Sequence, residues 1–387
     1  MTTRGKRFLA VGIIAAGLLV LGVPFFVFVW PYIQPAPVPR AELEKTVAEW
    51  KVFADAVRSH PQADRQAFDE FCRKHKEFLE KGKAASGSGG EESLFFSEES
   101  VAEVAANRET LQQLIVEFDA FAADGLVLYQ DYALDAETMD FLPIWGLAYW
   151  WGTMAAQGEE FMPPYRRASQ LIASLMENDI LFSLMIGITI EAIVDPALIQ
   201  RLPQLSPEDL AQAAEIIKQR PDLFEQLLRS TKIYAYAGFS SLTTEAEGGE
   251  SIFIDEESKR FLWPLHVPGL LERERWWYVY AMDEMTKRLR VWYDNGATGE
   301  PVGDLMAQIL DHSILSAIMA PDMARFVRSA VLKCVARRKA LLAAIEAEPQ
   351  RRATGGTTRL PYFDDVELVI TDKHGDFKNT PKTTETP

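Results

Sequence analysis

The chain has 387 residues, 48% of them apolar, with 40 basic and 56 acidic side chains and a formal charge of −16. That apolar content excludes a disordered polymer and suffices for a sizeable core. The acidic balance repels phosphate backbones and anionic lipid surfaces, which argues against a nucleic-acid partner.

The most decisive segment comes first. Arg4, Lys6 and Arg7 precede residues 8–33, a run of 26 residues with no charge and no strongly polar side chain. About 20 such residues cross the hydrocarbon core of a bilayer as a helix. The run is longer than the apolar core of a cleaved signal peptide, and proline flanks the bonds around Ala36, the one small-residue site after it. It therefore reads as an uncleaved signal-anchor. The basic flank predicts residues 1–7 as a cytoplasmic tail and the bulk of the chain as extracytoplasmic, held on the cytoplasmic (inner) membrane by a single pass. Trp30 and Tyr32 suit the far interface. Pro31, Pro35, Pro37 and Pro39 then end the helix and form a stiff spacer.

Leu43, Val47, Trp50, Ala54 and Val57 repeat at helical spacing, and Phe68, Phe71, Cys72, His75, Phe78 and Leu79 form a second stripe after His60-Pro61. Residues 34–82 thus read as a proline-rich stalk and a membrane-proximal helical hairpin. A glycine/serine tract makes residues 83–97 a flexible linker or long loop. A helical ectodomain is predicted over 98–348. Within it, residues 166–194 read as one long core helix, and the uncharged stretch 180–190 is too short to span a bilayer. Ser206-Pro207-Glu208-Asp209 is a helix start: an N-cap, proline in the first turn and acids at the positive end of the dipole. Residues 270–293 form a helix with a bulky aromatic face. A last long helix carries Met323, Val327, Ala330, Cys334, Leu341 and Ile345 at helical spacing. Residues 349–387 read as a β-like segment, centred on 366–371, with a disordered tail. The fold class is mainly α: an N-terminal transmembrane helix, then a helical-bundle ectodomain with a small C-terminal β segment.

The segment Ser183-Leu-Met-Ile-Gly-Ile-Thr-Ile-Glu191, the Ser-Pro-Glu-Asp-Leu helix start and Leu332-Lys-Cys334-Val-Ala-Arg-Arg together resemble a group of uncharacterised bacterial proteins. These are single-pass, membrane-anchored and helix-rich, and a short pseudopilin-like β tail often follows. The resemblance covers residues 160–345 and implies fold and topology, with no activity attached. Leu360-Pro-Tyr-Phe-Asp364 is a remnant of the usual tail pattern.

Chemistry is sparsely signalled. There is no nucleophile elbow, H-E-x-x-H, P-loop, dinucleotide fingerprint or EF-hand, so neither a cofactor nor a metal is predicted. The two cysteines, Cys72 and Cys334, allow no zinc site. They fit either a disulfide outside the cytoplasm or two buried thiols. His60, His75 and His374 read as surface or turn residues, and His266 and His312 as connection and helix-edge residues. Glu191 is the sharpest candidate: among Ile188, Ile190, Ile193 and Val194 its carboxyl is either raised toward a general-acid pKa by burial or paired with an arginine such as Arg166, Arg167 or Arg201. Trp150-Trp151 and Trp276-Trp277 are either core aromatics or the floor of a ligand groove. The acidic segments 245–257 and 364–367 read as solvated loops. The function these features predict is a binding or scaffolding module of the cell envelope, with the membrane and envelope proteins as partners. The alternatives are an envelope hydrolase using Glu191 as acid or base and an accessory component of a secretion or pilus-like apparatus.

Overall fold

The computed structural model describes residues 35–58, 63–86, 98–122, 142–158, 160–177, 180–246, 270–296, 305, 309, 313, 327–363, 366–373 and 375–379. The predicted transmembrane helix 8–33, most of the linker 83–97, His60, His266, His312, His374 and the acidic loop beyond Ala246 lie outside them. The described residues are mainly helical, with one small antiparallel sheet near the C-terminus. They divide into two compact units: one takes the residues up to Ala54 and those from Lys232 to Ser313, and the other takes the rest. These units are discontinuous in sequence.

In the first unit, helix α1 (Arg40–Arg58) contributes Leu43 and Trp50 to the core. From Lys232 on, helix α10 (Leu223–Ala246) belongs to this unit and meets helix α11 (Leu270–Asp294) where a Cβ on Gly238 would run into the Tyr278 ring and hydroxyl. Arg40 and Arg275 lie over the Trp276 ring at 4.8 and 5.4 Å.

The second unit holds the rest of the helices. Helices α2 (Ala63–Lys74) and α3 (Lys76–Ser86) carry the stripe from Phe68 to Leu79, and α3 packs on α6 (Leu142–Gln157), where a Cβ on Gly146 would run into the Leu79 carbonyl oxygen. His75 sits in the turn between α2 and α3 and is buried, because its ring packs on Phe71 and its Nε2 meets the Glu117 carboxylate at 2.8 Å. Helices α4 (Glu98–Ala106) and α5 (Arg108–Ala122) follow, and α5 sets Phe118 against Trp151.

The predicted single helix 166–194 is two helices, α7 (Met162–Met176) and α8 (Leu181–Arg201). The sequence between them holds Asn-Asp, residue types that compete with helix for their own backbone, and Ile180 is extended. By length and composition alone α8 and its 3₁₀ extension, Leu181–Gln204, would pass for a membrane span, but 67% of its most apolar window is buried inside the protein, as in a core helix. Helix α9 (Pro207–Gln219) starts at Ser206, whose hydroxyl accepts the Asp209 N–H at 3.1 Å.

A π-helical turn, Val327–Leu332, leads into helix α12 (Lys333–Thr354). This helix continues through Pro349, past the predicted boundary. Proline removes one backbone donor there, while Glu348 grips both Arg351 and Arg352 across the last turns. Arg352 also donates to the carbonyls of Leu202 and Leu205, satisfying acceptors just past the end of α8. Strands β1 (Thr358–Phe363), β2 (Val366–Ile370) and β3 (Gly375–Asn379) form an antiparallel meander with β2 central. Pro361, which cannot donate to a ladder, sits on the edge strand beside a register shift.

Candidate functional site

Glu191 and Asp195 lie four residues apart on α8, hence on one face, and both are fully buried. Two like charges one turn apart in a dry interior repel, so the arrangement needs cations. Arg220 supplies the first. Pro221 forces it out of the helical region, which ends α9 and leaves Arg220 extended. Its Nη1 reaches Glu191 Oε1 at 2.9 Å and Asp195 Oδ2 at 3.2 Å, and its Nη2 reaches Asp195 Oδ1 and the Tyr165 hydroxyl, each at 3.0 Å. Arg338 of α12 supplies the second. It holds Glu191 through Nε and Nη2, donates Nη1 to the Pro221 carbonyl at 2.6 Å and sets Nη2 3.4 Å from the Met176 sulfur.

The electrostatics of the two carboxyls diverge. Burial would push Glu191 up, but the Arg220 and Arg338 charges outweigh it and hold the group well below the usual carboxylate range. At Asp195 burial prevails over Arg220, and the Glu191 charge adds to it, so this carboxyl is raised. Burial also raises the Tyr165 hydroxyl and the Cys334 thiol, so both stay protonated. Glu191 is therefore an ionised, bidentate-paired carboxylate with no exposed surface.

The arginines nearer in sequence act elsewhere. Arg166 donates to Gln212, Arg167 forks onto Asp119 with both contacts at 2.6 Å, and Arg201 donates to the Ala156 and Gly158 carbonyls. Asp195, Arg220, Arg338 and Tyr165 were not singled out as partners. The legible signals were the carboxylate four residues beyond Glu191, the Arg-Pro junction closing α9, and an Arg-Arg pair on an otherwise apolar helical stripe.

The tryptophans are placed differently. Trp150 stacks on Phe78 with centroids 4.7 Å apart, and Trp151 meets Phe118 edge-on; both are core side chains of the second unit. Trp277 is buried in the first unit, where Arg273 lies over its ring at 5.6 Å. Trp276 is half-buried, its face covered by guanidinium groups and its indole N–H donated to Glu272 at 3.0 Å. Cys72 and Cys334 are both buried, and no disulfide joins them. Among the described residues no group of three or more His, Cys, Asp or Glu could hold a metal ion. Comparison with protein-family models, with curated proteins and with solved structures found no match for the chain.

Proposed function

We propose that the chain is a membrane-anchored, extracytoplasmic helical protein acting as a binding or scaffolding module of the cell envelope. The observation that carries this reading is the uncharged run 8–33 behind Arg4, Lys6 and Arg7, which suits insertion with the N-terminus in the cytoplasm. The proline-rich spacer and the acidic remainder of the chain support it, since neither favours nucleic acid or a flat association with anionic lipid. Partners on this reading are the membrane, through the N-terminal helix, and other envelope proteins. A hydrolase built on Glu191 is less well supported: a carboxylate locked between two guanidiniums lacks both the proton and the access that acid–base catalysis needs. A role in a secretion or pilus-like apparatus keeps one supporting feature, the antiparallel meander that follows a long helix.

Alkaline carbonate washing of membranes and a C-terminal reporter fusion test the placement. The expected result is retention in the membrane pellet together with reporter activity only outside the cytoplasm. Release of the intact chain, or a reporter active only inside, would overturn it.

A further inference from the structure

Arg337 and Arg338 are neighbours on α12 and therefore point about 100° apart. Arg338 forks onto Glu191, whereas Arg337 makes no ion pair among the described residues and meets the Asp195 and Glu191 charges only at longer range. It is 7% exposed, yet its Nε and Nη1 are buried without a hydrogen-bond partner among the described residues. Its Nη2 lies 3.5 Å from the Tyr362 hydroxyl, the outer limit of a hydrogen bond. Buried donors on a charged group are rarely left unmet, because each costs its full desolvation penalty.

Arg337 is also one of the residues that line a groove of about 270 Å³ bounded by α8, α12 and the sheet. Pro196 and Ile199 form one wall, and Phe363 and Phe377 the other. Tyr362 packs on Phe377 with ring centroids 4.4 Å apart, which stiffens the aromatic side. Gly375 keeps β3 close to α8: a Cβ there would lie 2.6 Å from the Ile199 carbonyl oxygen. Lys333, Gln200 and Asp376 form the polar rim.

Guanidinium forks match planar oxyanions, and apolar walls select a ligand with a hydrophobic body. Asp376 on the rim opposes a dianion such as phosphate and leaves a single negative charge as the better match. We infer that this groove binds a small monocarboxylate with an aromatic or short acyl body, its carboxylate on Arg337 and its body between Pro196 and the Phe363/Phe377 face. This names a ligand class for the binding module proposed above. The site does not depend on the membrane placement, because its test reads affinity and not location.

The test is calorimetric titration of 3-phenylpropionate into the purified full chain, against buffer of the same composition, with 3-phenylpropionamide and inorganic phosphate as comparison probes. The expected result is saturable binding of one acid per chain, with a dissociation constant on the order of 1 mM for so small a ligand. The amide and phosphate should bind at least tenfold more weakly. Arg337→Met should weaken the acid at least tenfold, and Arg337→Lys by less. No saturable heat from the acid overturns the site, as does an amide that binds equally well. Phosphate binding more tightly than the acid overturns the ligand class. The amide comparison uses the unaltered protein, so it decides the matter even if Arg337→Met fails to fold.

Discussion

Arg338 grips Glu191 through both carboxylate oxygens, Nε to Oε1 at 2.7 Å and Nη2 to Oε2 at 2.8 Å, across 147 residues of sequence. The contact joins α8 to α12, and Arg338 extends it to the Pro221 carbonyl beyond α9. A buried, ionised carboxylate thereby ties three segments of the second unit together.

Removing one member of this cluster should cost far more than removing two. Glu191→Gln leaves Arg338 and part of Arg220 buried without a counter-charge, and a stranded buried charge costs about 3–5 kcal/mol. The double variant Glu191→Met, Arg338→Met should recover part of that loss, because buried pairs are often replaced by apolar side chains at little cost. Urea denaturation of both variants checks this. A double variant no more stable than Glu191→Gln would refute it.

Asp195 should respond differently from Glu191. Its carboxyl is raised by burial and by the Glu191 charge, so the anion is held at a disadvantage, and Asp195→Asn should destabilise less than Glu191→Gln. The pH dependence follows the same logic. The folded-state pKa of Glu191 is depressed from the ordinary 4.5 to about 2, so its contribution is present above the ordinary value and is lost as pH falls toward 2. Asp195 runs the opposite way: its raised pKa favours folding at low pH and disfavours it as pH rises through the folded-state value. Stability measured from pH 6 to pH 2 should therefore fall less steeply in Glu191→Gln than in the unaltered chain.

Local grammar was legible wherever chemistry was local. The Ser206 cap, the stripe from Leu43 through Ala54 and the aromatic helix Leu270–Asp294 all follow from spacing and turn residues, because those signals act within one or two turns. The break between α7 and α8 is hidden in the sequence because apolar periodicity runs through it while only Asn-Asp opposes it. Glu191 stood out as a carboxylate among isoleucines, but its partners did not. Arg166, Arg167 and Arg201 are nearer in sequence than Arg338, and only packing of α12 on α8 brings the last into reach. The tryptophan pairs met a similar limit, since helical spacing cannot distinguish a core wall from a ligand floor.

Two glycines should separate steric from conformational cost. Gly146→Ala drives a Cβ into the Leu79 carbonyl of a crossing helix, backbone against backbone, and forces α3 and α6 apart. A loss of roughly 3 kcal/mol or more is expected. Gly355 closes α12 with a left-handed φ of +66° and has open space around its Cα. Gly355→Ala should therefore cost only about 1 kcal/mol, the price of the conformation alone. Thermal or chemical denaturation of the two variants checks the order, and equal losses would contradict it.

Cys334 should be silent toward thiol reagents in the native protein. Its side chain is 1% exposed, and burial, with the neighbouring Glu191 charge, raises its thiol well above the ordinary range. The thiolate is the reactive species, so both access and ionisation are denied. Labelling with iodoacetamide at pH 8, followed by peptide mass spectrometry, should leave Cys334 unmodified under native conditions and modify it fully in denaturant. Because Cys334 shares its face of α12 with Arg338, Arg338→Met should speed its native-state labelling. Rapid native labelling of Cys334 in the unaltered chain would contradict the closed cluster on which these expectations rest.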